Sequence, residues 1–277
     1  MSETVQGFIR ETSDLFKRDQ YLSTLDLELM ACNLLNIERS KLFSSSVCLD
    51  SKQQTEFLSM IKRRNSGEPL AYILGTKGFW NLDLVVNRNV LVPRPETEIL
   101  VEDILFNFNK AHLNVLDLGT GSGAIGLSLK EERKSWEVYC SDLSKTALKV
   151  AKKNSIKYGL DTKFICCDWL NAFKPESFDL IISNPPYIEK GNTSLESEGL
   201  RFEPYEALVS GTTGKEHLFY IASSASRYLK KGGYLYLEHS PLQAKDLTLF
   251  LKKKKFKNIS EIFDLNGDKR AIKAQNF

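Results

Sequence analysis

Four consecutive residues, Asn184-Pro185-Pro186-Tyr187, have the types and order needed to hold a planar amino group. Two prolines in a row fix the backbone and remove its donors, so the neighbouring carbonyls stay free to accept. The Asn184 side-chain carbonyl and the Pro185 main-chain carbonyl are then two rigid acceptors that can grip both hydrogens of an –NH₂ group. Pro186 keeps the grip rigid, and Tyr187 offers an aromatic face for a planar amide or base. An amide or aromatic amine delocalises its lone pair and is a poor nucleophile. Holding its hydrogens directs the remaining density at an electrophilic methyl, and fixed acceptors stabilise the positive charge growing on nitrogen. The implied reaction is in-line methyl transfer from a sulfonium. It requires no general base, because the methylated cation is itself strongly acidic. Asn184, Pro185 and Tyr187 are the catalytic candidates, and the whole tetrad binds substrate.

The donor's site reads from three further signals. Asp117-Leu118-Gly119-Thr120-Gly121-Ser122-Gly123 is a glycine-rich turn, of the kind that lets a backbone approach a ligand closely. Such a loop serves either a dinucleotide or S-adenosylmethionine. The G-x-G-x-G spacing differs from the pyrophosphate-binding G-x-G-x-x-G, and with the leading Asp117 it favours a cofactor without pyrophosphate. Asp142 is placed to accept both ribose hydroxyls of an adenosine. Asp168-Trp169 brings a carboxylate and a flat ring to the expected adenine. The cofactor-site candidates are therefore Asp117, Leu118, Gly119, Thr120, Gly121, Asp142, Asp168, Trp169 and Asn184.

These residues fall where an alternation of strands and helices places them. Strands are expected over Val115–Leu118, Val138–Leu143, Phe164–Cys167, Phe178–Ser183 and Tyr234–Glu238, with helices over Ala124–Glu132, Lys145–Tyr158, Lys215–Leu229 and Leu242–Lys253. Each chemical signal then sits at the carboxyl end of a strand, the edge at which open parallel sheets bind ligands. Two short strands around Ile259–Phe263 and Ala271–Ala274, joined through Asn266-Gly267, close the sheet as an antiparallel hairpin. Ahead of this unit lie three helical patterns. Val5, Phe8, Ile9, Leu15 and Phe16 mark the first, Leu25–Leu35 behind Thr24 the second, and Phe57, Leu58 and Ile61 behind Asp50 or Ser51 the third. Between the two regions, Trp80, Leu82, Leu84 and Val86 alternate, and Asn87-Arg88-Asn89 reads as the turn of a hairpin into Val90-Leu91-Val92. Pro93-Arg94-Pro95 ends it, and Glu96-Thr97-Glu98 opens a helix with acidic residues in its first turn.

Composition narrows the class. The 277 residues are 42% hydrophobic and 26% charged, which excludes collagen-like, disordered and disulfide-scaffold chains. The longest uncharged stretch, Leu118–Leu129, is too short for a membrane span of about 20 residues. The N-terminus, with Glu3, Arg10, Glu11 and Asp14, is unlike a signal peptide, so a cytoplasmic protein is expected. Five cysteines without C-x-x-C spacing read as buried thiols, and three isolated histidines give no metal constellation. The net charge of +3 is too small to argue for a polynucleotide, and residues 1–75 carry nine basic and ten acidic side chains.

With these motifs in place, the chain resembles the release factor glutamine N5-methyltransferase family (HemK/PrmC) along nearly its whole length. The resemblance rests on Pro69-Leu70-Ala71-Tyr72-Ile73-Leu74-Gly75, Pro93-Arg94-Pro95-Glu96-Thr97-Glu98, the glycine loop, the tetrad, Phe202-Glu203-Pro204 with Ala207-Leu208, and Asp264-Leu265-Asn266-Gly267-Asp268-Lys269-Arg270. It implies an α/β fold: a seven-stranded, Rossmann-like, S-adenosylmethionine-dependent methyltransferase domain over 95–277. This follows a small all-α, substrate-recognising domain over 1–75 and a β-hairpin linker over 76–94. It implies that the tetrad holds the glutamine of the Gly-Gly-Gln loop of class I peptide chain release factors, with Arg94 and Glu203 shaping that pocket. A monomer that binds neither nucleic acid nor membrane is expected. The chain departs from the family after the fifth strand, where Glu238-His239-Ser240-Pro241-Leu242-Gln243 stands in place of Glu-Ile-Gly; Glu238 and Gln243 fit, and His239 receives no role. The alternatives are an N6-adenine nucleic-acid methyltransferase, a ribosomal-protein glutamine methyltransferase, and a non-catalytic binding module.

Overall fold

The computed structural model describes residues 4–15, 21–44, 47–196 and 199–277. They form two compact units, one of residues up to Gly75 with Glu196–Phe202, the other of Thr76–Leu195 with Glu203–Phe277.

The first unit is helical: α1 Val5–Leu15, α2 Thr24–Leu35, α3 Arg39–Ser44, α4 Ser51–Asn65 and α5 Leu70–Leu74. Its core gathers Val5, Ile9, Leu27, Met30, Leu42, Phe57 and Ile61. Two capping boxes set its helix starts. Asp50 accepts from Gln53 N at 2.8 Å and caps α4, while Ser23, not Thr24, caps α2 by accepting from Asp26 N at 3.1 Å. Helices α3 and α5, of six and five residues, are too short to display a period and went unexpected. Phe16, counted in the first helical pattern, lies outside the described residues.

The second unit begins with a hairpin, but not the expected one. β1 (Thr76–Phe79) pairs antiparallel with β2 (Leu82–Val85) across a Trp80-Asn81 turn, and Val90–Val92 forms no strand. Trp80 sits in the left-handed region at φ 53°, an expensive place for a bulky residue. Acidic anchors hold it there. Glu98 Oε1 accepts from the Trp80 backbone N–H at 2.9 Å, and Glu132 Oε1 accepts from Trp80 Nε1 at 2.8 Å and Asn81 Nδ2 at 2.6 Å. Such long-range support has no local sequence signature, whereas Asn87-Arg88-Asn89 has the composition of a turn.

After a 3₁₀ turn at Pro95–Thr97 come α6 Glu98–Asn107, β3 Asn114–Leu118, α7 Ala124–Glu132, β4 Glu137–Asp142, α8 Lys145–Lys157, β5 Lys163–Cys166 and β6 Phe178–Ser183. Then follow α9 Glu216–Tyr228, β7 Leu229–Glu238, α10 Ala244–Lys253, β8 Lys257–Phe263 and β9 Lys269–Gln275. The seven-stranded sheet runs β5-β4-β3-β6-β7-β9-β8, parallel except for β9. β7 begins five residues before the expected Tyr234, where Lys230-Lys231-Gly232-Gly233 hides strand character and the register shifts against β6. Period-2 alternation splits the core into two layers. Val115, Leu180, Ile182 and Tyr236 face one layer with Leu100 and Ile104 of α6 and Leu127 of α7. Leu116, Ile181, Leu235 and Leu237 face the other with Leu218 and Ile221 of α9 and Leu247 and Leu251 of α10. Of the five cysteines only Cys32 and Cys140 are buried. Cys166, expected inside, is exposed at the end of edge strand β5. Among the described residues no helix is long and apolar enough to cross a membrane.

Candidate active site

The strand order reverses between β3 and β6, and a cavity of about 810 Å³ opens at the carboxyl ends of the strands around that point, entirely within the second unit. Its floor is the turn after β3. Gly119 N and Thr120 N both donate to Ser141 O, at 2.9 and 2.8 Å, which ties the turn to the end of β4. Asp117, only 1% exposed, closes the turn from below: Oδ2 accepts from Thr120 Oγ1 at 2.5 Å and from Gly126 N at 2.9 Å. Burial pushes its carboxyl up to about 6 despite these donors. At Gly121 (φ +56°) a Cβ would meet nothing within 4 Å, so the bare backbone faces open space.

Asp142 ends β4 and lines the cavity. Its two oxygens accept from Gly121 N at 2.9 Å and Ser144 N at 2.8 Å, and burial raises its pKa. Each carboxylate oxygen has a second lone-pair direction, so both can still accept hydroxyls from a ligand. Asp168 and Trp169 border the same space. The Trp169 ring lies 5.1 Å from the His217 ring at 49°, with its edge near Gly119. His217, at the start of α9, also lines the cavity, and burial lowers its pKa. As an isolated histidine it gave no sequence signal. The wall also includes Arg88, Leu91, Tyr205 and Glu206. Segments 88–94 and 204–207 thus contribute more than the sequence showed, although Phe202-Glu203-Pro204 flagged the second of them.

Asn184 follows β6 directly and reaches the cavity with Pro186. Its Nδ2 donates to the buried Thr97 Oγ1 at 3.2 Å. Gln243 Nε2 fixes the tetrad's far end by donating to Tyr187 O at 3.0 Å and Gly214 O at 2.9 Å. Pro185, Tyr187 and Glu203 are not among the residues that line the cavity. Pro185 is buried between its neighbours. The Tyr187 ring packs against the α9–α10 core layer and its hydroxyl donates to Glu238 Oε1 at 3.3 Å. Burial raises the pKa of that phenol, with the Glu238 charge adding to it. Glu203 stands behind the wall, where Oε2 accepts from Val92 N at 2.9 Å and Oε1 accepts from Arg94, which does face the cavity. Glu238 ends β7, 1% exposed, and burial pushes its carboxyl up to about 7. His239 is fully buried away from the cavity: Nδ1 donates to Ser240 O at 2.9 Å, and Nε2 has no partner among the described residues. Among the described residues no cluster of His, Cys, Asp and Glu could hold a metal ion.

The sequence matches two family models, the PrmC N-terminal domain over residues 9–75 and the Methyltransferase small domain over residues 95–199. It is 39% identical over 248 residues to the release factor glutamine methyltransferase of Shewanella oneidensis, covering 89% of this chain and 87% of that one. It is 39% identical over 254 residues to that of Coxiella burnetii, covering 91% of each. A methyltransferase from Pyrococcus furiosus superposes with a TM-score of 0.54 at 17% identity, over 82% of this chain and 99% of that one. A T. thermophilus 16S rRNA N2 methyltransferase, in complex with AdoMet and guanosine, superposes at 0.53 and 19% identity, over 73% and 50%. These two structures are alike in fold.

Proposed function

The chain belongs to the release factor glutamine methyltransferase family and is an S-adenosylmethionine-dependent methyltransferase, and on that premise we propose that it methylates the side-chain amide nitrogen of the Gly-Gly-Gln glutamine in class I peptide chain release factors. One observation carries the proposal: Asn184 opens into the same cavity as the glycine turn and Asp142, so a planar amide and the methyl donor meet in one space. The donor set fits the cofactor. The bare Gly121 backbone leaves room beside the turn, Asp142 keeps free lone pairs for ribose hydroxyls, and Trp169 with His217 forms an aromatic wall for a base. S-adenosylmethionine supplies an activated methyl group there.

The chain's own task is to hold the glutamine. Asn184 Nδ2 is committed to Thr97, which leaves Oδ1 as the acceptor for one amide hydrogen. The Pro185 carbonyl, between two residues that border the cavity, is the second acceptor. Both stabilise charge that develops on nitrogen in the transition state and is weaker before it, which makes the grip catalytic as well as binding. Tyr187 acts by bracing the loop through Glu238, and Arg94, steadied by Glu203, lines the approach. Reaction in the cytoplasm, by a monomer, without direct nucleic-acid contact, completes the reading. Incubation with labelled cofactor and each class I release factor tests it. Label on the Gly-Gly-Gln tryptic peptide is expected; label on ribosomal protein or nucleic acid instead overturns it.

A further inference from the structure

The two prolines that stiffen the tetrad also strip its middle of N–H donors, so the loop has to be anchored through acceptors. Two of its acceptors, Asn184 Oδ1 and the Pro185 carbonyl, face the substrate amide in the proposed reaction. The Tyr187 carbonyl lies further along the loop, and Gln243 holds it. The Gln243 side chain is 7% exposed, and each of its polar atoms is matched. Nε2 donates to Tyr187 O at 3.0 Å and to Gly214 O at 2.9 Å, while Oε1 accepts from Ser240 N at 3.0 Å. A carbonyl only accepts and a main-chain N–H only donates, so one orientation of this amide fits. Turned over, it would set its oxygen against two carbonyls. The partner of Oε1 is a main-chain N–H, so the arrangement does not depend on the residue types of His239 and Ser240.

Gly214 packs on the same Tyr187 carbonyl. A Cβ there would lie 2.7 Å from Tyr187 O and 3.1 Å from Glu189 N, main-chain atoms that can yield only if the loop moves. Its φ of +71° is also in the left-handed region that favours glycine. Glu216 holds the turn that delivers it, with Oε1 accepting from Thr212 N and Thr213 N at 2.9 Å each. Just past the tetrad, Ile188 N donates to Leu208 O at 2.9 Å and Ser210 N donates to Ile188 O at 2.8 Å, which joins the loop to the same segment. We propose that Gln243 and Gly214 are positioning residues that together set where the tetrad presents Asn184 Oδ1 and the Pro185 carbonyl to the substrate nitrogen. The inference rests on the reading of the tetrad as the grip on that nitrogen. Pro186, with its locked φ, passes a displacement of Tyr187 on to Pro185 instead of absorbing it.

The experiment compares wild type, Gln243→Glu, Gln243→Met and Gly214→Ala as full-length chains, with S-adenosylmethionine and a class I release factor. Glutamate keeps an acceptor for Ser240 N and completes the same capping box, but loses the donor end. Methionine keeps the length and removes both, and alanine inserts the methyl that the carbonyl excludes. Turnover is counted per cofactor site by calorimetry, so unfolded chains drop out. Each variant is expected to lose about tenfold or more in kcat per site, with cofactor Kd within about twofold. Gly214→Ala combined with Gln243→Met should lose less than the product of the single losses, because both act on one carbonyl. Wild-type kcat per site in the variants overturns the proposal, as does a full product in the double variant. Fewer sites with unchanged kcat per site would mark a merely structural role and overturn it too. Crystal structures with S-adenosylhomocysteine read the tetrad without turnover. The Pro185 carbonyl should move by about 0.5 Å or more in Gln243→Met and Gly214→Ala, and a tetrad that keeps its wild-type place in both overturns the inference. If wild type leaves the release factor unmodified, the functional reading fails, and the position of the tetrad still decides the inference.

Discussion

Two buried carboxyls carry the residue-scale chemistry. Glu238 is pushed up to about 7 and Asp117 to about 6, both by burial. A carboxyl with a raised folded pKa binds more protons folded than unfolded, so stability falls as pH rises from the unfolded value through the folded one. From these two groups the protein should lose stability between about pH 4 and 7, on the order of 3 kcal/mol for Glu238 alone. Glu238→Gln should therefore raise the urea midpoint more at pH 8 than at pH 5, and a pH-independent difference would contradict burial as the cause of the shift. Asn184→Ala should cut kcat by about a hundredfold while cofactor Kd changes much less, measured by turnover and calorimetry. Equal losses would make the residue a support of the cofactor pocket. At this scale the sequence showed the tetrad, the glycine turn and Asp142, because residue type and local order carry their chemistry. It did not show Thr97 as Asn184's partner 87 positions away, nor His217 against Trp169, nor that Tyr187 turns from the cavity to Glu238. Each depends on contacts between distant segments.

Among the elements, the joint of β3, β4 and α7 is tightly packed near the site. A Cβ at Gly126 would come within 2.7 Å of Cys140 Sγ and 3.0 Å of Asp117 Oδ2. Helix propensity alone would have Gly126→Ala stabilise α7 by up to about 1 kcal/mol. The packing reverses that sign: a loss of about 1–3 kcal/mol is expected, with weaker cofactor binding because Asp117 is displaced from the turn. Thermal unfolding with and without cofactor checks both. In the helical unit, Asp50→Ala should cost about 1 kcal/mol through lost capping of α4, read from denaturant unfolding. α7 and β6 were legible to the residue. The Trp80-Asn81 turn, α3 and α5 were not, because remote anchors or short length replaced the local signal.

For the whole molecule, topology places the charge that composition only counts. Lys252–Lys255 and Lys257 supply much of the basic excess. Lys257 begins β8, the edge strand that runs parallel to β7, so the run lies at the amino ends of the strands, opposite the edge that opens into the cavity. A charge patch there lies away from the opening of the site. Reversing Lys252–Lys255 to glutamate should leave kcat/KM within about twofold, and activity should depend on salt far less steeply than counterion release from nucleic acid demands. The most direct test of the account is mass spectrometry of a class I release factor after incubation with this enzyme and S-adenosylmethionine, beside Asn184→Ala and with nucleic acid present as a competitor. The account predicts a gain of one methyl group on the glutamine of the Gly-Gly-Gln peptide, lost with Asn184→Ala. An unmodified peptide, or methyl transfer to the nucleic acid instead, would contradict it.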